Sequence, residues 1–293
     1  ILRCIRFASR YGWEIEYDTY EGMVRNVSRL EIITKERVKD EFCKMLTCKH
    51  PIMAMELLRK IGAMHYVIPE LEETYSMTQN EYHFGTVWEH TMMVLEGTKD
   101  DNMILRISAL LHDIGKIRVC TEEDGKIHFL KHELKSGEMI DELLRPLKFS
   151  NEIIKEVTFL VRNHMICKTW GSECEYMKDK KLRRFQYECK TEERFRNLMT
   201  IIDADNNAYA ADKCMPKQVE FILSRTEAMK AEGSAMFGYK LPLTGKEIMD
   251  LKGIKPGSAV KECLDYLMKI AFVNPLRKKE EFVKHLLGYR LQK

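Results

Sequence analysis

Nowhere in the 293 residues is there an apolar run near the 18 that a membrane-crossing helix needs, and the N-terminus lacks the charged-then-apolar pattern of a secretion signal. Proline and glycine are sparse, at seven and fifteen residues, so few positions interrupt a helix. The nine cysteines include no Cys-x-x-Cys pair; an odd number without regular spacing excludes a zinc ribbon and predicts reduced thiols in a cytoplasmic protein. Neither charge sign dominates: 48 Lys and Arg stand against 45 Asp and Glu, a net charge of +3, so a nucleic-acid surface has to come from local clustering. The chain opens on Ile1 and not on Met, as expected of a piece of a longer protein.

An apolar content of 45% is enough for one large domain or two to three ordinary ones. Long stretches rich in Leu, Met, Lys and Glu predict an all-α fold of many helices. Three segments are expected. Residues 1–80 hold short amphipathic helices punctuated by "KHP" and "VIPEL", where each Pro bars helix at the residue before it. Residues 81–230 contain "TVWEH", where Thr86 and Glu89 form a capping-box pattern, and "KIRVCTEEDGKIHFL", two β-prone runs around Asp124-Gly125 that predict one small β-hairpin. Residues 231–293 form a helical tail, with a second capping box at Thr244 and Glu247.

The stretch "ALLHDIGK", residues 109–116, runs apolar residues into an adjacent His112-Asp113 pair. An ionised Asp in such a setting is costly unless a cation or a donor pairs with it. In "TVWEHTMMVL" the positions Val87, His90, Thr91, Val94 and Leu95 share one helical stripe, so His90 points inward with its apolar neighbours. A lone inward His is most often a satisfied core residue. Further candidates change that reading: His132 opens "HELKSGEM", His164 closes "VRNH", and Asp205 sits in "IIDADNNA". A divalent site draws such ligands from several helices.

The order His, His-Asp, His, His, Asp resembles the HD phosphohydrolase superfamily, an all-helical fold that binds one or two divalent metals and hydrolyses phosphoesters. The resemblance implies His90, His112, Asp113 and Asp205 as metal ligands, with Asp113 the bridge if two metals bind, and Mg, Mn, Ni, Co or Fe as the cation. It implies catalytic roles for Asp113, Lys116, His132 and His164, the two histidines holding a second metal or touching the substrate phosphate. Lys116 either neutralises phosphate charge or is a solvated lysine at a helix end. In such sites the cation supplies Lewis acidity and an ionised water for in-line attack, and a His on the leaving-group side serves as general acid. Asp113→Ala is then expected to abolish hydrolysis with the fold intact. His128, in the hairpin, receives no role. "DAD" at 203–205 is also a nucleotidyltransferase pattern, but there the pair lies on a strand; on a helix Asp203 and Asp205 diverge by roughly 200° and cannot chelate one ion. Asp205 is the favoured ligand.

A second resemblance covers the whole chain. "ILRCIRFASRYGWEIE", "RLEIITKERVKDEFCKML", "ELLRKIGAMHYVIPEL" and "LPLTGKEIMDLKGIKPGSAVKECLDYLM" resemble, in turn, the neck, body and tail of the bacterial tRNA nucleotidyltransferase and poly(A) polymerase family, the CCA-adding type with an embedded HD domain. Lys131 stands where a Gly often precedes the third His. The family's nucleotide-adding head is not recognisable in this sequence. The resemblance implies tRNA or another structured RNA as partner and a nucleotide or other phosphoester as substrate. Arg3, Arg6 and Arg10 recur at helical spacing, a basic face for RNA phosphates or simply a solvated helix. "KDKKLRRF" is a basic run of the usual solvated kind. "GIKPG", with Lys255 and Gly257, either presents backbone N–H groups to a phosphate or is a plain turn between helices. The function expected is that of an RNA-binding portion of such a protein with a metal-dependent phosphohydrolase inside it. The alternatives are a free-standing HD phosphohydrolase on small nucleotides, or a catalytically silent RNA-binding module.

Overall fold

The computed structural model describes residues 1–79, 85–98, 102–209 and 213–291. It is all-α apart from one two-stranded antiparallel sheet among the described residues. The chain divides into two compact units, residues 1–168 with 197–216, and residues 169–196 with 217–293.

The first unit begins with α1 (Leu2–Tyr11), α2 (Tyr17–Arg25), α3 (Lys35–Leu46) and α4 (Pro51–Ile61), joined by short 3-10 turns. Pro51 stands at the first turn of α4, where its missing N–H costs nothing, and Gly62 ends the helix in the left-handed conformation. Next come α5 (Val87–Gly97), α6 (Met103–Leu111) and the single turn α7 (Lys116–Val119). Thr86 and Glu89 form the predicted capping box on α5, and the Asn102 side chain accepts N–H bonds from Ile104 and Leu105 at the start of α6. The expected hairpin pairs β1 (Thr121–Glu123) with β2 (Lys126–His128), and Asp124 and Gly125 both turn through positive φ.

An antiparallel pair, α8 (His132–Leu144) and α9 (Asn151–Asn163), follows. Gly137 lets α8 approach α9 so closely that a Cβ there would lie 3.0 Å from Arg162 Cβ. The unit closes with the second part of a helix spanning Glu192–Asn207. Its core includes Phe42, Met45, Leu58, Leu110, Ile140 and Val157. Truncating any of these large side chains to Ala should cost ~2–5 kcal/mol.

The second unit contains α10 (Asp179–Cys189), the start of α11 (the Glu192–Asn207 helix), α12 (Gln218–Ala231), α13 (Gly245–Lys252), α14 (Ser258–Val273) and α15 (Lys279–Gly288). Thr244 and Glu247 make the second capping box, and Cys263, Leu267, Phe282 and Leu286 build the core. The run "KDKKLRRF" starts α10, and Arg183 from it is buried with its guanidinium donating to the carbonyls of Phe272 and Val273, a structural use of a basic residue. No helix of the described residues is long and apolar enough to cross a membrane.

Candidate metal centre

Four histidines and two aspartates meet in the first unit, all of them buried. The α5 stripe read from the sequence is as drawn: Val87, His90, Thr91, Val94 and Leu95 are buried together. One turn further along, Gly97 meets Ala204 of α11, where a Cβ on the glycine would lie 3.0 Å from the Ala204 Cβ. That close helix contact carries the neighbouring Asp205 to the site, with its Oδ1 3.2 Å from His90 Nε2. Asp203, two residues away on the same helix, is absent from the site's contacts, as the divergence of i and i+2 positions requires.

His112 caps the C-terminus of α6, and Asp113 to Gly115 turn into α7. Gly115 N–H donates to Ser136 Oγ at 2.8 Å. A Cβ at position 115 would sit 2.4 Å from Ser136 N and 2.5 Å from His132 O, so only glycine lets α8 lie on this turn. The contact sets His132 Nε2 3.0 Å from Asp113 Oδ1. His164 caps the end of α9, with its Nε2 3.6 Å from the same oxygen. Lys131, in place of a glycine, holds the left-handed conformation at φ 61°.

The imidazoles share one orientation rule. His112 Nδ1 faces Ala109 O at 2.8 Å, His132 Nδ1 faces Phe129 O at 2.9 Å, and His164 Nδ1 faces Val161 O at 2.7 Å. His90 Nδ1 lies 3.3 Å from Ala208 O. A carbonyl only accepts, so each Nδ1 carries the proton and each Nε2 turns a lone pair inward. There Nε2 atoms come in pairs, His90 with His112 at 3.2 Å and His132 with His164 at 3.3 Å. Facing lone pairs repel unless a cation or a proton lies among them. Asp113 joins the pairs: its Oδ1 faces His132 and His164, while its Oδ2 is 3.2 Å from His112 Nε2 and 3.5 Å from His90 Nε2. Two sets of donor atoms are close enough together to hold an ion, His90–His112–Asp205 and His112–Asp113–His164. Histidine nitrogens fixed from behind by carbonyls, mixed with carboxylate oxygens, suit a divalent metal.

Charge is balanced by two lysines. Lys116 is buried, not solvated, and its Nζ is 2.6 Å from Asp113 Oδ2 and 2.6 Å from Gln79 Oε1. Lys168 Nζ lies 3.0 Å from Asp205 Oδ2 and 2.9 Å from Asn206 Oδ1, and 3.9 Å from the Tyr209 ring centroid. Burial would raise the Asp113 carboxyl, but His112, Lys116 and His132 hold it well below the carboxylate range; Asp205 behaves alike, through Lys168 and His90. Burial lowers His90 and His164, keeping them neutral. For His112 the same burial is outweighed by Asp113, and its pKa is raised.

Sequence reasoning missed Lys168, Gln79 and Tyr209. Only Lys168 carried a signal, a basic residue four positions past His164. A cavity of about 440 Å³ opens beside the site, with Lys116, Phe129, His132, Met165, Lys168 and Tyr209 in its wall, and His128 reaches it too.

The RNA candidates are divided between the units. On α1, Arg3 and Arg10 are exposed, whereas Arg6 donates to Glu41 Oε2 at 2.6 Å and is largely covered. In the second unit "GIKPG" joins α13 to α14, with Lys255 and Gly257 exposed and Gly253 left-handed at the end of α13, the geometry of a helix–helix turn.

Residues 12–74 match the family described as "Probable RNA and SrmB-binding site of polymerase A", and residues 80–206, which enclose all six clustered ligands, match the HD domain family. A CC-adding tRNA nucleotidyltransferase of Thermus thermophilus is 27% identical over 99% of this chain and 66% of its own length. An A-adding tRNA nucleotidyltransferase of Deinococcus radiodurans is 27% identical over 89% and 61%. Among solved structures, that of the Bacillus stearothermophilus CCA-adding enzyme in complex with CTP superposes with a TM-score of 0.62 at 19% identity, over 98% of this chain and 60% of that one, a likeness of fold. The chain thus spans about three fifths to two thirds of the length of these relatives. It is a relative of the tRNA nucleotidyltransferases and carries an HD domain.

Proposed function

We propose that the HD domain of this chain works as a metal-dependent phosphohydrolase on a phosphomonoester or 2′,3′-cyclic phosphodiester, inside a cytoplasmic protein of the tRNA nucleotidyltransferase and poly(A) polymerase kind. The observation that carries the reading is the convergence of four Nε2 lone pairs on two buried carboxylates. In it His90, His112, Asp113 and Asp205 hold the divalent cation. A first-row ion such as Mn, Fe, Co or Ni suits this imidazole and carboxylate mixture better than Mg. Such a cation supplies Lewis acidity at the phosphoryl group and a readily ionised water.

The protein's own groups do the rest. Lys116 and Lys168 stand in the cavity wall beside Asp113 and Asp205, where they counter the charge of phosphate oxygens. His132 also lines that wall, and its Nε2 is the proton donor for the leaving oxygen, with His164 Nε2 3.3 Å behind it as proton relay. Phe129 and Met165 keep water from the bound ester and offer apolar surface to a nucleoside. Arg3, Arg6 and Arg10, with Lys255 and Gly257, take RNA phosphates, the partner being tRNA or a similarly structured RNA. Nucleotide addition, which names the relatives, belongs in this reading to the whole protein and is assigned to none of these residues.

Elemental analysis of the purified chain, followed by assays with adenosine 2′,3′-cyclic phosphate and adenosine monophosphate across added Mn, Co, Ni and Mg, tests the proposal. The expected result is bound metal and metal-dependent release of product that His112→Ala and Asp205→Ala both eliminate. Turnover that persists after chelation, or a chain that takes up no divalent ion, would refute it.

A further inference from the structure

We infer that Tyr11 and Trp13 form a stacking platform for an unpaired RNA base, whose phosphate is received by the adjoining basic cavity of Arg10, Lys44 and Lys49. The inference rests on the RNA-binding reading and adds the class of RNA recognised, single-stranded and not duplex, together with the residues that recognise it.

The platform follows from how α1 ends. Gly12 adopts φ 71°, and the Trp13 N–H returns to Ala8 O at 2.9 Å, a left-handed helix stop that folds the next side chain back along the helix. Trp13 therefore lies on Tyr11, ring centroids 4.5 Å apart and planes within 25°, and Tyr11 continues onto Phe7 at 6.3 Å and 7°. The outer end of this ladder is open: Trp13 is 58% and Tyr11 50% exposed. Guanidinium groups flank it, Arg6 4.2 Å from the Phe7 centroid and Arg10 5.6 Å from the Tyr11 centroid.

Tyr11 is also part of the wall of a cavity of about 520 Å³ that it shares with Arg6, Arg10, Lys44, Thr47 and Lys49, a wall with four cations and no carboxylate among the described residues. Arg6 is committed to Glu41, whereas Arg10, Lys44 and Lys49 make no ion pair among the described residues. A flat aromatic face joined to a cationic cavity fits a nucleotide chain, one part for the base and the other for the phosphate. It does not fit a duplex, whose bases are already stacked. An apolar protein partner would leave the three cations unmatched.

Tryptophan fluorescence reads this site directly, because Trp88 and Trp170 are each 3% exposed and Trp13 is the one open to a ligand. With the full chain, an oligoadenylate of about eight nucleotides is expected to quench Trp13 emission, while a blunt RNA duplex is not. By anisotropy of labelled oligoadenylate, Trp13→Ala should weaken binding about 5- to 140-fold, the range measured for losing one base stack, and Trp13→Phe should restore most of it. Lys44→Ala with Lys49→Ala should lower the slope of log affinity against log salt by about two. Oligoadenylate that binds Trp13→Ala as tightly as the parent would overturn the platform and leave the RNA reading standing. If the parent chain binds neither oligoadenylate nor tRNA at low salt, the RNA reading itself fails. Trp13 emission that changes with protein concentration alone would show a second copy on this face, and would overturn the inference as well.

Discussion

Replacing Asp113 with alanine removes two interactions at once, and the structure lets them be separated. Its Oδ2 lies 2.6 Å from Lys116 Nζ, and Lys116 is 1% exposed. Without the carboxylate the ammonium keeps the neutral Gln79 oxygen but loses its charge partner, a loss of ~3–5 kcal/mol for a buried pair broken on one side. The sequence-based expectation that Asp113→Ala leaves the fold intact is therefore amended: the residue fills little space, yet it balances a buried cation. Against a total stability of ~5–15 kcal/mol such a loss is large. Asp113→Ala with Lys116→Met removes both charges, and should recover most of the deficit. Metal behaves differently. At a hundredfold excess over its Kd, a bound ion should stabilise the parent by about 2.7 kcal/mol and neither variant appreciably. Urea unfolding in chelator, repeated with Mn, measures both effects. The reasoning is refuted if Asp113→Ala in chelator is as stable as the parent, if the double variant is less stable than the single one, or if Mn stabilises the single variant as it does the parent.

Three further outcomes are expected. Gly115→Ala should weaken metal binding more than tenfold, because its Cβ would meet Ser136 N at 2.4 Å and His132 O at 2.5 Å and must push α8, with His132, off Asp113; calorimetric titration with Mn unchanged from the parent would contradict this. For pH, burial depresses His90 and His164 below the ordinary 6.5, so their contribution is fully present above that value and is lost as pH falls from it toward their folded pKa values. His112, raised, works in the opposite sense, so the metal-free chain should lose on the order of 1 kcal/mol per pH unit just below pH 6.5, and urea midpoints that do not move between pH 7 and 5.5 would be inconsistent with it. Lys131→Gly should stabilise the chain by up to ~1 kcal/mol, since glycine meets no steric penalty at φ 61° and the gain exceeds its added chain entropy. A lower urea midpoint in that variant would show the lysine to be better placed than its backbone suggests.

The parts of this structure written in local chemistry were legible beforehand. Thr86 with Glu89 and Thr244 with Glu247 announce helix starts, because a capping box is complete within four residues. Asp124-Gly125 announces the hairpin for the same reason. The apolar stripe around His90 was visible because helical periodicity reports a buried face. What stayed hidden depends on distant partners. Arg6 looked identical to Arg3 and Arg10 in sequence, and only the fold brings Glu41 to it across 35 positions. Lys168 acquires its meaning from Asp205, Asn206 and Tyr209, all on a different part of the chain. Lys116 was ambiguous between solvent and site until Gln79, 37 residues earlier, supplied its second oxygen.

The same division explains why the centre could be guessed from so few letters. His112 and His164 are both the residues at which an apolar helix stops, after "ALL" in one case and "LVRN" in the other. The last turn of any helix leaves carbonyls without intrahelical donors. Ala109 O and Val161 O are such carbonyls, each three residues back, and each receives the Nδ1 proton of the histidine that ends its helix. One hydrogen bond thus satisfies the helix end, selects the tautomer and aims Nε2 away from the helix toward Asp113. Because carbonyl and imidazole are three residues apart, the orientation of each ligand is encoded locally, and the tertiary fold only has to bring two helix ends together. Gly115 and Gly97 mark where it does so, one admitting α8 to the turn after His112 and the other admitting α11 to α5. A side chain at either glycine would leave every ligand with its own correct tautomer and still spread them apart, which separates what the local sequence prepares from what packing completes.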